Sequence, residues 1–466
     1  MNNDWMGFLA RVAALTVARI GLSTHGKTFA VGFRVLVTIF AMSLCAISAW
    51  AASPEKALYK FTGTDGAAPR GGVIWDAAGN LYGTTELGGG GTCQYGCGTV
   101  FELTPKAGGG WAEKVLYRFT DSQKDGHYPE AGLVFDSSGN LYGTTGNGGG
   151  GTCQSGCGTV FELTPNSDGN WTEKVLHRFR NNGKDGYGPR ANLILDASGN
   201  LYGTATGGGS QSCTDGCGTV FELTKAGGEW TEKVLHSFSN NGKDGYYCYG
   251  SLIFDSFGSL YGTTSNGGAY GFGTVFKLTP KADGKWIENV LYSLGSNGSD
   301  AKGSEAGVIF DASGDLFGTS TGGGAYGYGT VFELMQNAHG VWADKVLFSF
   351  CSDYPFCTDG GGPVASVIFD STGNLYGTTV YGGSTQCELG CGLVFELTPK
   401  ANGSWTERVL YMFATKNRNH DGFEPLAGLI LDTAGNLYGT TFNGGYNPGD
   451  GMVCEITHDF VGDEQR

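Results

Sequence analysis

Short apolar runs alternate with polar and glycine-rich stretches along most of the chain, and one such unit shows the pattern. Residues 132–136 (Gly-Leu-Val-Phe-Asp) are a brief apolar run, strand a. Residues 137–139 make a tight turn, with the Asp136 carboxylate placed to accept its backbone N–H groups. Residues 140–145 read as strand b. A glycine-rich loop leads to strand c at 158–164, and a second turn leads to strand d at 171–179, which alternates in polarity. The repeats carry no helical period.

The phrase Asp-x-x-Gly-Asn-Leu-Tyr-Gly-Thr returns with small changes from Asp76, Asp136, Asp196, Asp255, Asp311, Asp370 and Asp432, at steps of 56 to 62 residues. Four short strands per unit with glycine-rich turns predict an all-β fold, a seven-bladed β-propeller with four-stranded blades over residues 52–458. The two ends agree with this. Residues 55–61 read as a strand d with no a, b or c before it, and residues 428–457 supply a, b and c with no d after them. The N-terminal strand then joins the last blade and closes the ring, removing two exposed edges. Strand c carries Glu102, Glu162, Glu222, Glu333, Glu396 and Glu455, and strand d carries Lys114, Lys174, Lys233, Lys345 and Arg408. The fourth repeat has Lys277 and Asn289 instead. Cross-strand ion pairs are expected, including Lys56 with Glu455 at the closure.

Composition narrows the class. The 84 glycines follow no Gly-X-Y period, which excludes collagen, and 13% aromatics with 40% apolar residues are enough for a core. Net charge is −15, which argues against a nucleic-acid partner. Residues 1–51 differ from the rest. Arg11, Arg19, Lys27 and Arg34 precede an uncharged apolar run that ends in Ala49-Trp50-Ala51. This reads as a secretory signal peptide, with an uncleaved membrane anchor as the alternative. The expected location is secreted or extracytoplasmic, as a monomer without membrane contact after cleavage, with residues 459–466 as a tail.

The cysteines fit that compartment. Four pairs share C-x3-C spacing in the b–c loop: Cys93/Cys97, Cys153/Cys157, Cys213/Cys217 and Cys387/Cys391. Repeats four and five lack the pair and have shorter loops, so the cysteines come with an insertion, a finger that a disulfide would staple. Cys351 and Cys357 make a fifth pair. Zinc would need four converging ligands where each loop offers two. Cys248 and Cys454 are left over, Cys454 standing where other repeats have Phe.

The combination Gly-Gly-x-x-Gly-x-Gly-Thr-Val-Phe-x-Leu (267–278 and 323–334) with Gly-Asn-Leu-Tyr-Gly-Thr-Thr resembles the GloVer tandem repeat of secreted bacterial proteins. The resemblance spans residues 55–457. It implies a propeller-like fold and export, and it supplies no catalytic residues.

In a propeller strand a lines the axis, so the d–a and b–c loops share one face. That face carries the disulfide fingers, and a ligand is expected there. Three further sets of residues stand on it. Asp65, Asp125, Asp185, Asp244, Asp300, Asp359 and Asp421 each lie 11 residues before a turn Asp. They read either as makers of the d–a turn or as a carboxylate ring for calcium. Counting six back from each turn Asp gives Arg70, Glu130, Arg190, Tyr249, Glu305, Val364 and Leu426, which should border the channel mouth. They read as a ligand site or as a variable solvated loop. Tyr95, Tyr270, Phe272, Tyr326, Tyr328, Tyr381 and Tyr446 would stack on sugars or cover the glycine-rich loops. The seven histidines form no H-x-H or H-E-x-x-H constellation, and His177 and His236 replace an aromatic of strand d. No G-x-S-x-G elbow or phosphate loop is present. The sequence therefore points to a non-catalytic binding propeller for a polysaccharide or an extracellular protein, with calcium as the one cofactor in question. The alternatives are a carbohydrate- or lactone-acting enzyme using carboxylates, and a structural envelope component.

Overall fold

Each repeat folds around its turn Asp. Asp136 accepts the backbone N–H groups of Ser138 and Asn140 on one oxygen, and the Asn140 amide and Tyr142 hydroxyl on the other. Burial pushes its pKa up, but these donors outweigh it and hold the carboxyl below its ordinary value. The two backbone bonds recur at all seven turns. They fix a hairpin of strands a and b in every unit.

The computed structural model describes residues 55–414, 421–447 and 449–457. The export segment and the tail read from the sequence lie outside these. Seven four-stranded antiparallel sheets are arranged in a ring, a seven-bladed β-propeller. In the second blade the strands are Val134–Phe135, Leu141–Thr145, Thr159–Pro165 and Trp171–Arg178. Strand a keeps only two paired residues, because the small residues before them turn along the channel. In the last blade Ile430–Leu431, Leu437–Thr441 and Met452–Ile456 are completed by Glu55–Lys60 from the other end of the chain. The expected Lys56–Glu455 pair forms there at 3.0 Å.

The core lies between neighbouring blades. Leu58, Phe61, Tyr438 and Val453 of the last blade pack on Val73, Leu81, Phe101 and Leu103 of the first. Thr440 Oγ1 donates to the Gly71 carbonyl at 3.1 Å across the closure, as Thr84 does to Ala131 and Thr319 to Ala365 at other interfaces. The Phe of strand c explains the glycine of strand b. A Cβ on Gly143 would stand 2.5 Å from the Phe161 ring. In the last blade Cys454 replaces that Phe, and a Cβ on Gly439 would meet only a Leu429 methyl. Gly143→Ala is therefore expected to cost about 2–3 kcal/mol and Gly439→Ala about 1 kcal/mol or less, as compared by urea unfolding. Equal costs would remove this account of the motif.

The cysteine pairs form as expected. All five are disulfides: Cys93–Cys97, Cys153–Cys157, Cys213–Cys217, Cys387–Cys391 and Cys351–Cys357. The first cysteine of each C-x3-C pair is half-buried or, at Cys213, buried. The second cysteines, Cys97, Cys157, Cys217 and Cys391, are fully buried. They belong to the core between blades, packed with Val100 and Phe119, Val160 and Phe179, Val220 and Phe238, and Val394 and Phe413 respectively. The reason is position: each stands two residues before strand c, where the loop has already turned back into the blade. The backbone carbonyl of each accepts an N–H from the d–a loop that follows, Tyr128, Gly188, Tyr247 and Glu424 in turn, at 2.9 to 3.0 Å. The staple therefore anchors the finger to the core. Cys351 and Cys357 are buried as well, and Cys248 and Cys454 are buried free thiols.

Two further findings refine the sequence expectations. The strand c–d charges face each other in register, but the described ion pairs are only Lys56–Glu455, Lys345–Glu333 and Arg408–Glu396. Lys114, Lys174 and Lys233 reach instead to turn carbonyls of the next blade, and Lys277 pairs with its own turn residue, Asp255, at 3.1 Å. In addition, each d–a loop pairs with the start of its b–c loop. Five form two-stranded ribbons such as Gly126–His127 with Asn147–Gly148, and the first and sixth make single bridges. Both loops therefore lie on one face, as expected, and the ribbons tie them together.

Candidate functional site

Where the chain enters strand a, neighbouring blades come too close for side chains. A Cβ on Gly71 would stand 2.5 Å from the Ala131 backbone, and one on Gly250 2.6 Å from Ala306. These small residues surround the axis, and the preceding residue of each blade projects into the opening. The result is a cavity of about 220 Å³ lined by Arg70, Glu130, Arg190, Tyr249, Glu305, Val364 and Leu426, one from each blade. The structure thus gathers the whole set counted back from the turn aspartates. Deeper in, Asn192 accepts the Gly132 N–H at 2.7 Å, and Ser251 accepts the Asn192 N–H at 3.1 Å.

The opening is polarised. Glu130 is buried between two guanidiniums, 3.5 Å from Arg70 Nε and 3.3 Å from Arg190 Nε. Arg70 also lies 3.7 Å from Glu86. Both arginines remain 41% exposed, so each can still offer N–H donors to a ligand. Burial, and then the Glu130 charge, raise the Glu86 pKa against the pull of Arg70. Burial likewise raises that of Glu305. The arc formed by Val364 and Leu426 offers no charge.

The other two sets behave differently. The d–a aspartates accept hydrogen bonds from their own loops: Asp125 accepts from Thr120, Tyr117 and Gly126, and Asp300 from Ser296, Tyr292 and Ala301. The seven loop aromatics are all exposed, from 38% at Tyr328 to 67% at Tyr95. Phe272 carries the Lys302 ammonium 4.8 Å over its ring, and Tyr328 stacks on Tyr354.

One further ring was not singled out from sequence. The acid two residues after each strand-d Trp, and Glu55 at the closure, is partly buried against the d–a Asp of the preceding blade. Burial first, then the Asp charge, raises Glu113 beside Asp65, Glu173 beside Asp125, Glu407 beside Asp359 and Glu55 beside Asp421 to about 7. Glu232 beside Asp185 and Glu288 beside Asp244 respond alike. Burial first, then the neighbouring Asp300, raises Asp344 to about 9. The signal was an acid at one fixed place in every repeat.

Comparison with known families agrees with the repeat pattern. A model of the Gloeobacter/Verrucomicrobia repeat matches residues 38–215, 95–303 and 210–454 in tandem. The chain belongs to the Gloeobacter/Verrucomicrobia repeat family. No curated protein matches it. Among solved structures, this repeat propeller is similar to a protein from Lactobacillus plantarum (11% identity, TM-score 0.43), covering 80% of the present chain and 99% of that one. It is also similar to an ancestral GH74 enzyme (10% identity, TM-score 0.47), covering 86% and 52%. A luciferin-regenerating enzyme has 13% identity and a TM-score of 0.38, covering 70% and 91%.

Proposed function

We propose that the protein is an exported, non-catalytic binding propeller that holds the end of a polysaccharide chain at the channel mouth. The observation that carries this is the polarised opening. Arg70, Glu130 and Arg190 offer alternating donors and acceptors on one arc, and the apolar Val364 and Leu426 form another part of the same ring. A sugar ring has the same division, hydroxyls around its edge and C–H groups on its face. About 220 Å³ is less than the roughly 300–1,000 Å³ of sites that enclose drug-sized ligands, so the mouth suits one terminal unit. Following units would cross the exposed rings of the loop face. Five disulfides and the basic-apolar N-terminal segment support export. Among the described residues no helix is long and apolar enough to cross a membrane.

One observation favours a second reading, an enzyme acting on carbohydrates or lactones. Burial raises the proton affinity of Glu305, which lines the mouth with Glu130, and of Glu86, which lies 3.7 Å from Arg70. Glycoside hydrolysis uses carboxyls kept in different protonation states. A thermal-shift screen with soluble polysaccharides, followed by product analysis of every hit, separates the readings. Saturating a site about 100-fold above its dissociation constant adds about 2.7 kcal/mol, a readable rise in melting temperature. The binding proposal expects that rise with no product. New reducing ends would favour the enzyme, and a rise only with exported proteins would exclude the polysaccharide.

A further inference from the structure

The outer edge of the propeller repeats one arrangement at each blade interface, and two of the seven depart from it in the same way. At most interfaces an aromatic of strand d stands beside the d–a Asp, and where it is Tyr its hydroxyl donates to that Asp. Tyr59, Tyr117, Tyr292 and Tyr411 do so at 2.6 to 3.1 Å. At two successive interfaces the position is His. His177 Nε2 lies 3.3 Å from Asp185, and His236 Nε2 lies 3.3 Å from Asp244, each longer than every Tyr contact. The acid of the next blade completes each group. The ligand atoms of His177, Asp185 and Glu232 all lie within 4.8 Å of one another, as do those of His236, Asp244 and Glu288.

Each group keeps buried carboxylate oxygens without a donor, although Asp244 Oδ2 accepts the Ser239 N–H and hydroxyl. The Asp185 and Asp244 side chains are only 10% and 9% exposed, yet Oδ1 of each has no hydrogen-bond partner among the described residues. Oε1 of Glu232 and of Glu288 is also unpartnered, as it is in Glu55, Glu113, Glu173 and Glu407 at the interfaces without His, so the His ring is what sets these two groups apart. Asp125 and Asp300 at other interfaces have their Oδ1 satisfied by a backbone N–H, whereas that of Asp421 is unpartnered as well. The His rings are oriented by edge contacts with Phe179 and Phe238 at 4.7 and 4.8 Å. His177, Asp185 and Glu232 line an open cavity of about 500 Å³, wide enough for a hydrated ion to enter.

We propose that His177, Asp185 and Glu232 form a site for a divalent transition-metal ion of the zinc type, and that His236, Asp244 and Glu288 form a second copy of it. Bonds of about 2.0–2.2 Å at tetrahedral angles separate two ligands by roughly 3.3–3.6 Å, which the His–Asp distances meet. One imidazole and two carboxylates suit zinc, cobalt or nickel, whereas calcium takes six to eight oxygens. Water fills the fourth position from the solvent side.

The repeat supplies its own control, because Tyr occupies the His position in other blades. The purified chain, stripped with chelator, is titrated with Zn²⁺ by calorimetry and equilibrium dialysis. Two ions per chain are expected, with one lost in His177→Tyr, one in His236→Tyr and both in the double variant, while melting shows that all three stay folded. Glu232→Gln should weaken the first site about tenfold or more, since even outer partners of metal ligands are worth that much. Co²⁺ in place of Zn²⁺ should give visible absorption that the double variant lacks. No binding by the unaltered chain, or a stoichiometry unchanged in the double variant, overturns the proposal.

Discussion

Deleting residues 55–62 is expected to open the ring and cost at least about 5 kcal/mol. Phe61 is fully buried and Leu58 nearly so, both in the core between the last and first blades. Truncating one such side chain typically costs 2–5 kcal/mol, and the deletion removes both together with a five-residue ladder. That is comparable to the whole stability of many domains. Met452–Ile456 would then become an unpaired edge, free to pair with a second copy. Urea unfolding and light scattering check both consequences: a much lower midpoint and the appearance of dimers. A variant that unfolds with the parent chain and stays monomeric would show that the ring does not depend on this strand.

Stability should fall as pH rises from 5 to 8. With the two His-containing interfaces set aside, Glu55, Glu113, Glu173 and Glu407 have folded-state values near 7 against 4.5 unfolded, and Asp344 about 9 against 3.8. A carboxyl raised on folding binds its proton more tightly in the folded chain. Its contribution is whole below about pH 4.5, declines as the unfolded chain ionises first, and is gone above the folded-state value. These glutamates are only partly buried, so solvent screening leaves on the order of 1 kcal/mol per interface. The turn aspartates act in the opposite sense below pH 4, since Asp76, Asp136 and Asp370 are held below their ordinary value. The optimum therefore falls near pH 5. Urea midpoints between pH 4 and 9 test this, and Glu113→Gln with Glu173→Gln should flatten the alkaline limb. A midpoint that is level or rising from pH 5 to 8 would contradict it.

The ring was legible because one motif recurs seven times and because the unpaired strand d at the start matches the missing one at the end. The closing contact of Lys56 with Glu455 followed from register alone. Register did not say which lysines would turn away. Lys114 and Lys233 reach carbonyls of the neighbouring blade, and the gap between blades is not written in strand pairing. Spacing paired Cys93 with Cys97, but four residues of separation do not tell that the second sulfur has already entered the core. The channel mouth could be counted out because the turn Asp fixes where each blade begins, so Arg70, Glu130 and Arg190 shared one offset long before they shared a cavity. The interface acids escaped notice for a physical reason. Glu113 and Glu173 occupy polar positions of an outer strand, which read as solvent-facing, and they are covered only because a loop of the adjacent blade lies over them. The loop ribbons, built from glycines such as Gly126 and Gly148, have no alternation of polarity to betray them.

The central claim is that the polarised mouth is where the ligand binds. The most direct test is calorimetric titration of a polysaccharide hit from the thermal-shift screen into the parent chain and into Arg70→Ala with Glu130→Ala. Both side chains end in the opening and leave the blade ladders untouched. The account predicts that affinity falls by about 100-fold or more, equivalent to about 2.7 kcal/mol, with the melting temperature nearly unchanged in the absence of ligand. Unaltered affinity in the double variant would place binding elsewhere on the propeller and contradict it.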